Sequence, residues 1–317
     1  HRQQNPPQVQ KETDLNGKAI VTLRTADNIY GYVEKTGYYE SDFLTTCWTG
    51  NIKNDRWLPW GKKQTVILNK ITNPIPMYVK SEVSRVPVLT VPVGYDLFIG
   101  DWVHPYGKGV NSDFTVQADY TIDSSSDETT KKCHQVHLSV KFANTNDGYS
   151  QFTGKQRDRG NSLGSKLKSD HKAPLNGYIN EYEYCRYLQY SNKEFIETIA
   201  DQTLPITCST HLYFRIRSVV NETDNIVCAY YGKMYGAIKG YYGKTTKSLG
   251  VSIRESLQET ADATVCISFA YYLNPTAMYR NVENAPGKNL FLRNPDGSYR
   301  PYYKEFAREN GYITGAP

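Results

Sequence analysis

Three short stretches carry side chains that could do chemistry. Gly160-Asn161-Ser162-Leu163-Gly164 fits the GxSxG pattern, in which a serine nucleophile sits on a strained turn between an apolar strand and a helix. Its flanks are Gln156-Arg157-Asp158-Arg159 and a basic run to Lys172, so neither element is present and the pattern reads as a polar loop. Cys133-His134 with His137 suggests a thiolate pair or metal ligands, but on a strand positions 134 and 137 face opposite ways, which separates the imidazoles. Asp123, Asp127 and Glu128 could gather a calcium ion, although a solvated hairpin tip has the same spacing. No HExxH, EF-hand or P-loop spacing occurs. The residues therefore point to a chain that is not an enzyme and uses no metal or cofactor.

Binding chemistry is better represented. Trp48, Trp57, Trp60, Trp102 and Tyr106 offer rigid aromatic surfaces in turn-forming surroundings, as recognition of sugars, lipid headgroups or protein partners requires. Tyrosine alone numbers 27, which suits half-buried strands and recognition surfaces. The net charge of +5 is small and its basic residues form no stripe, which argues against nucleic acid as a partner.

The elements that must hold these groups are mostly strands. From Ser112 to Phe142 apolar and polar residues alternate: Phe114, Val116, Ala118, Tyr120 and Ile122, then Val136, Leu138, Val140 and Phe142. A period of two, broken by Ser124 to Lys132, predicts a long amphipathic hairpin with a polar tip and one buried face. Further strands are expected at 18–24, 64–71, 77–90, 95–103, 178–190, 206–219, 226–231, 234–242, 249–253 and 264–273. Ser191-Asn192-Lys193-Glu194 reads as a capping box that starts a short helix through Phe195, Ile196 and Ile199. A second short helix is expected over Tyr302 to Asn310, stopped by Gly311. The fold class is thus mainly β: antiparallel sheets or a sandwich, a long amphipathic hairpin and two short helices.

At 317 residues, roughly two domains are expected. The reading divides the chain into a flexible tail (1–17), a β-rich region with the hairpin (18–150), a polar loop or linker (151–174) and a second β-rich region (175–317). No apolar run is long enough for a membrane-spanning helix. The opening His1-Arg2-Gln3-Gln4-Asn5-Pro6-Pro7, without an initiator Met, looks like a mature terminus after signal removal, so the expectation is a secreted protein. Cys47, Cys133, Cys185, Cys208, Cys228 and Cys266 contain no CxxC pair and are disulfide candidates, with Cys208 to Cys228 the favoured link because it closes a short hairpin-like segment. Asn221-Glu222-Thr223 is a glycosylation sequon if the source is eukaryotic.

The polar tail from His1 to Gly17, the Tyr-rich β-body and the hairpin at Ser112 to Phe142 together resemble the secreted colonisation factors encoded in type IVb pilus operons of enterotoxigenic bacteria. That resemblance implies a non-enzymatic adhesion protein whose tail, with Arg2, Gln3, Gln4, Asn5, Pro6, Pro7, Gln8 and Val9, docks on a minor pilin at the pilus tip. It also implies a body that resembles β-pore-forming toxins and contacts the host cell surface, through glycan or lipid. The alternatives are a membrane-binding protein of the pore-forming kind, since both hairpin strands reach the 9 to 11 residues a barrel strand needs, and a lectin-like adhesin resting on the tryptophans.

Overall fold

The computed structural model describes residues 8–24, 28–46, 52–54, 56–57, 60–123, 132–152, 164–191, 194–200, 211–243 and 264–299. In chain order the strands are β1 (Asn28–Val33), β2 (Ser41–Thr46), β3 (Ile52–Lys53), β4 (Arg56–Trp57), β5 (Ile75–Arg85) and β6 (Val93–Asp96). Next come β7 (Asp101–Trp102), β8 (Phe114–Asp123), β9 (Lys132–Phe142), β10 (Gly148–Gln151), β11 (Gly164–Ser165) and β12 (Glu181–Ser191). The last are β13 (Glu194–Ala200), β14 (Leu212–Val220), β15 (Ile226–Met234), β16 (Lys239–Gly243), β17 (Thr264–Leu273) and β18 (Asn284–Asn289), followed by a 3-10 turn over Leu290–Leu292.

Two compact units divide these elements. The smaller comprises residues 1–71 and 157–166, and holds the sheet β1-β2-β11 and the two-stranded hairpin of β3 and β4. The larger comprises residues 72–156 and 167–317 and contains two sheets. One has the order β13-β12-β9-β8-β6-β7; the other has β10-β14-β15-β17-β5-β18, with β16 also paired to β17. The expected border at 151–174 does not separate two β regions. β9 pairs with β12, β10 with β14 and β5 with β17, so strands on both sides of that stretch share the same sheets.

Alternation accounts for the hairpin directly. β8 and β9 pair in continuous antiparallel register from Phe114 opposite Phe142 to Asp123 opposite Cys133. Their apolar parity faces inward, where Phe114, Val116, Ala118, Val136, Leu138 and Val140 are fully buried. The opposing layer is the second sheet: Phe269 meets Tyr95 and Phe114 edge-on at 5.3 and 5.9 Å, and Tyr242 stacks on Tyr120 at 4.2 Å. Close approach needs Gly240 in β16, where a Cβ would meet Val136 Cγ1 at 2.7 Å. The far face of the second sheet is covered in turn: Ala173 and Val282 pack with Tyr213, Ala229 and Tyr231.

Three expected elements differ. The helix through Phe195 is strand β13, with Ser191 and Glu194 paired across from each other rather than capping a turn. Thr198 and Ile199 are β-branched, which suits a strand, and they pair with Leu188 and Tyr187 of β12. Among the described residues the one helical element is the 3-10 turn, and Tyr302 to Asn310 lie outside them. The segment 18–24 is not a strand: Ile20 and Val21 are adjacent and both exposed, so neither face can be buried. Residues 64–71 run extended beside 37–41 with a single bridge, Lys70 to Tyr38.

Candidate functional site

Exposed aromatic and basic groups concentrate in the small unit. β3 and β4 form a tight hairpin in which Asn54 takes a left-handed conformation (φ 53°), a backbone that asparagine tolerates better than most residues. Beyond it the guanidinium of Arg56 lies 4.7 Å from the ring centre of Trp60, which is 53% exposed. Lys62 and Lys63 follow, also exposed. On β1 the alternation turns Tyr30 and Tyr32 to solvent. An open groove of about 480 Å³ is lined by Glu34, Lys35, Thr36, Tyr38 and Glu40. In it Lys35 lies 4.8 Å over the Tyr38 ring, and Glu40, paired with Lys166 at 2.6 Å, is held below the usual carboxylate range by that lysine.

Charge follows the same division. The small unit holds thirteen lysines and arginines against eight aspartates and glutamates, a net of +5, while the large unit is balanced at twenty-four of each. The charge that looks dispersed along the chain is therefore confined to 81 residues.

The large unit presents a polar sheet face. Across β8, β9 and β12 the residues of the other parity form rows: Thr115, Lys141 and Glu181; Gln117, Ser139 and Glu183; Asp119, His137 and the buried Cys185; Thr121, Gln135 and Tyr187. His137 reaches Glu183 Oε2 at 2.9 Å and lies 3.9 Å from Asp119. Gln135 donates to Cys185 Sγ at 3.3 Å. Both nitrogens of His137 thus face carboxylates rather than the thiol, which is not the arrangement that activates a cysteine nucleophile. His134 falls on the other parity of β9, opposite Ile122.

Other charged groups are buried and committed to backbone or to each other. Asp96 accepts four backbone N–H bonds, from Phe98, Ile99, Val110 and Asn111, and Arg217 joins it to Asp113. Burial pushes the Asp113 carboxyl up to about 6 against the pull of Arg217. Lys233 is fully buried, donates to Ser169 Oγ at 3.1 Å and sits over the rings of Tyr235 and Tyr272 at 5.0 and 5.2 Å. Desolvation pulls its amine down to about 7. Glu283 accepts from the Thr72 and Asn73 amides. These groups pin loops to sheets, and their polar atoms are committed there.

Of the residues the sequence nominates, Trp60 and Tyr106 are exposed. Trp102 is not a surface group: it is 4% exposed, its indole donating to Ser84 Oγ at 3.1 Å and its ring edge-on to Tyr95. Trp57 lies on β4, and Trp48 lies outside the described residues. Gln8 and Val9 are exposed, whereas 2–7 lie outside the described residues. Cys185 and Cys228 are free thiols, and Cys208, the other half of the favoured link, lies outside the described residues. Cys266 donates its S–H to the Thr264 carbonyl, Cys133 lies on β9, and Cys47 is outside the described residues. Sequence reasoning passed over Arg56, whose spacing of four from Trp60 was the available signal, and Tyr30 and Tyr32, marked by alternation in β1. No protein family, curated protein or solved structure matches the chain.

Proposed function

We propose that the protein is a secreted, non-enzymatic adhesion or colonisation protein, which docks through its N-terminal arm on a minor pilin at a type IV pilus tip and meets the host surface with its β-body. The observation that carries this reading is the arm itself. Residues 8–24 form neither strand nor helix, and nearly all are exposed. A turn is nonetheless built into them: Asp14 Oδ1 accepts the Asn16 and Lys18 amides at 2.9 Å, and Asp14 N donates to the Lys18 carbonyl at 2.8 Å. Leu15 stands at its apex, fully exposed. An apolar anchor on a preformed turn loses little entropy when a groove takes it, which suits docking by a small contact. Co-sedimentation with type IV pili tests this. The intact chain pellets; a chain lacking residues 1–17 stays in solution, and Leu15→Ser falls between them. If the intact chain does not pellet, the pilus reading is wrong.

The alternative is a membrane-binding protein of the pore-forming kind, for which the ten- and eleven-residue strands of the hairpin are long enough. Insertion would strip Phe114, Val116, Val136, Leu138 and Val140 from the core. Drawing them out through water costs about 1.5 to 3 kcal/mol for each side chain, on the order of 10 kcal/mol in all, a cost that only contact with acyl chains would offset, so the hairpin leaves the core only at a membrane. Dye release from liposomes would favour that alternative over simple adhesion.

A further inference from the structure

We propose that the β3–β4 hairpin with Trp60 is a subsite for an anionic glycan, one that carries sulfate or carboxylate groups. This rests on the reading that the body contacts a host surface, and it assigns that contact to the small unit. Three observations converge there. The small unit carries all of the net positive charge, so a polyanion is drawn to it rather than to the balanced unit. Within it, the stretch from Ile52 to Lys63 has Lys53, Arg56, Lys62 and Lys63 against one acid, Asp55. And the Arg56 guanidinium already lies over an exposed indole, 4.7 Å from its centre, and is tied to no carboxylate among the described residues.

That geometry meets two needs of an anionic sugar. The fork offers paired N–H donors to the oxygens of a sulfate or carboxylate, and the indole edge and free face offer an apolar platform for the C–H face of a pyranose ring. A hydrocarbon layer fits less well. Sinking Trp60 into acyl chains would carry the stacked guanidinium with it, at a cost of about 2.5 kcal/mol or more for an arginine in hydrocarbon. On a hydrated glycan the charge keeps both its water and its partner.

The test uses the full chain and immobilised dextran sulfate, with neutral dextran and vesicles of phosphatidylcholine and phosphatidylserine as the other arms. Binding to dextran sulfate, weakened by salt and absent on neutral dextran, is expected. Trp60→Ala and Arg56→Gln are expected to weaken it roughly tenfold, and Arg56→Lys several-fold, because lysine keeps the charge but not the planar stack. Both side chains are at the surface, and unchanged far-ultraviolet circular dichroism and thermal midpoint will show that the variants fold. If Arg56→Lys and Trp60→Ala bind as the parent does, the attraction is bulk charge and the subsite is disproved. Binding to vesicles with the same sensitivity, and none to dextran sulfate, overturns it in favour of a lipid surface. Attachment to cultured host cells separates the two levels: no attachment defeats the host-contact reading, whereas attachment that dextran sulfate does not compete away defeats only the glycan subsite.

Discussion

Arg217 Nε donates to Asp113 Oδ1 at 2.7 Å across 104 residues of sequence. The arginine reaches it from an irregular point in β14, where the register with β15 shifts between Ile216 and Val219 and Arg217 itself takes φ 53°. A left-handed backbone is costly for a long side chain and persists only when its surroundings over-determine it. Here the surroundings are Asp113, Asp96 and the Phe98 ring, over which the guanidinium lies at 4.5 Å. The clamp ties the turn after β6 and the entry to β8, both in one sheet, to β14 in the other.

Arg217→Met should therefore be severely destabilising, because it leaves the buried Asp113 carboxyl facing Asp96 without its cation. A lost buried partner costs about 3 to 5 kcal/mol, and the lower end applies because 29% of the arginine side chain meets solvent. Thermal denaturation should show a fall in Tm of roughly 10 °C. A fall of a degree or less would mean that the clamp contributes nothing.

Lys233 makes stability depend on pH above neutrality. Its amine titrates near 7 when folded, well under the ordinary lysine value of 10.5, because burial disfavours the charged form. Between those two values the unfolded chain holds a proton that the folded chain has released, so stability rises with pH across that window, and below 7 the penalty is present in full. Replacing the lysine with an apolar residue of similar length removes the penalty. Urea midpoints at pH 6 and pH 9 should differ less in Lys233→Met than in the parent, and the variant should be the more stable of the two at pH 6. Parallel pH profiles would refute this.

The cysteines give a chemical check on the fold. Cys228 is half-buried, whereas Cys185 and Cys266 are 4% and 0% exposed, and burial pushes the Cys266 thiol up to about 11. Iodoacetamide at neutral pH, read by peptide mass spectrometry, should label Cys228 in the native protein without reductant and reach Cys185 and Cys266 only after unfolding. A Cys228 that labels only after reduction would mean that it is held in a disulfide, whose partner peptide mapping would name.

How much of this was legible beforehand differs by element. β8 and β9 were readable because period-two alternation is a local property of ten residues, and a face that must be buried tolerates no other register. The stretch through Phe195 misled because a capping box and a short apolar run suit a helix equally well, and what chose the strand was a neighbour, β12, waiting to pair. Trp102 misled for a related reason: its loop-like surroundings are real, but the indole turns inward to Ser84. Composition and alternation thus determined a mainly β protein built around one long hairpin. Only the tertiary structure decided that strands on both sides of 151–174 share two sheets, that the +5 lies entirely on the small unit, and that Arg56 stacks on Trp60. Pairing partners, burial and the gathering of charge depend on contacts between residues far apart in the chain, and no local pattern encodes which distant residue will be met.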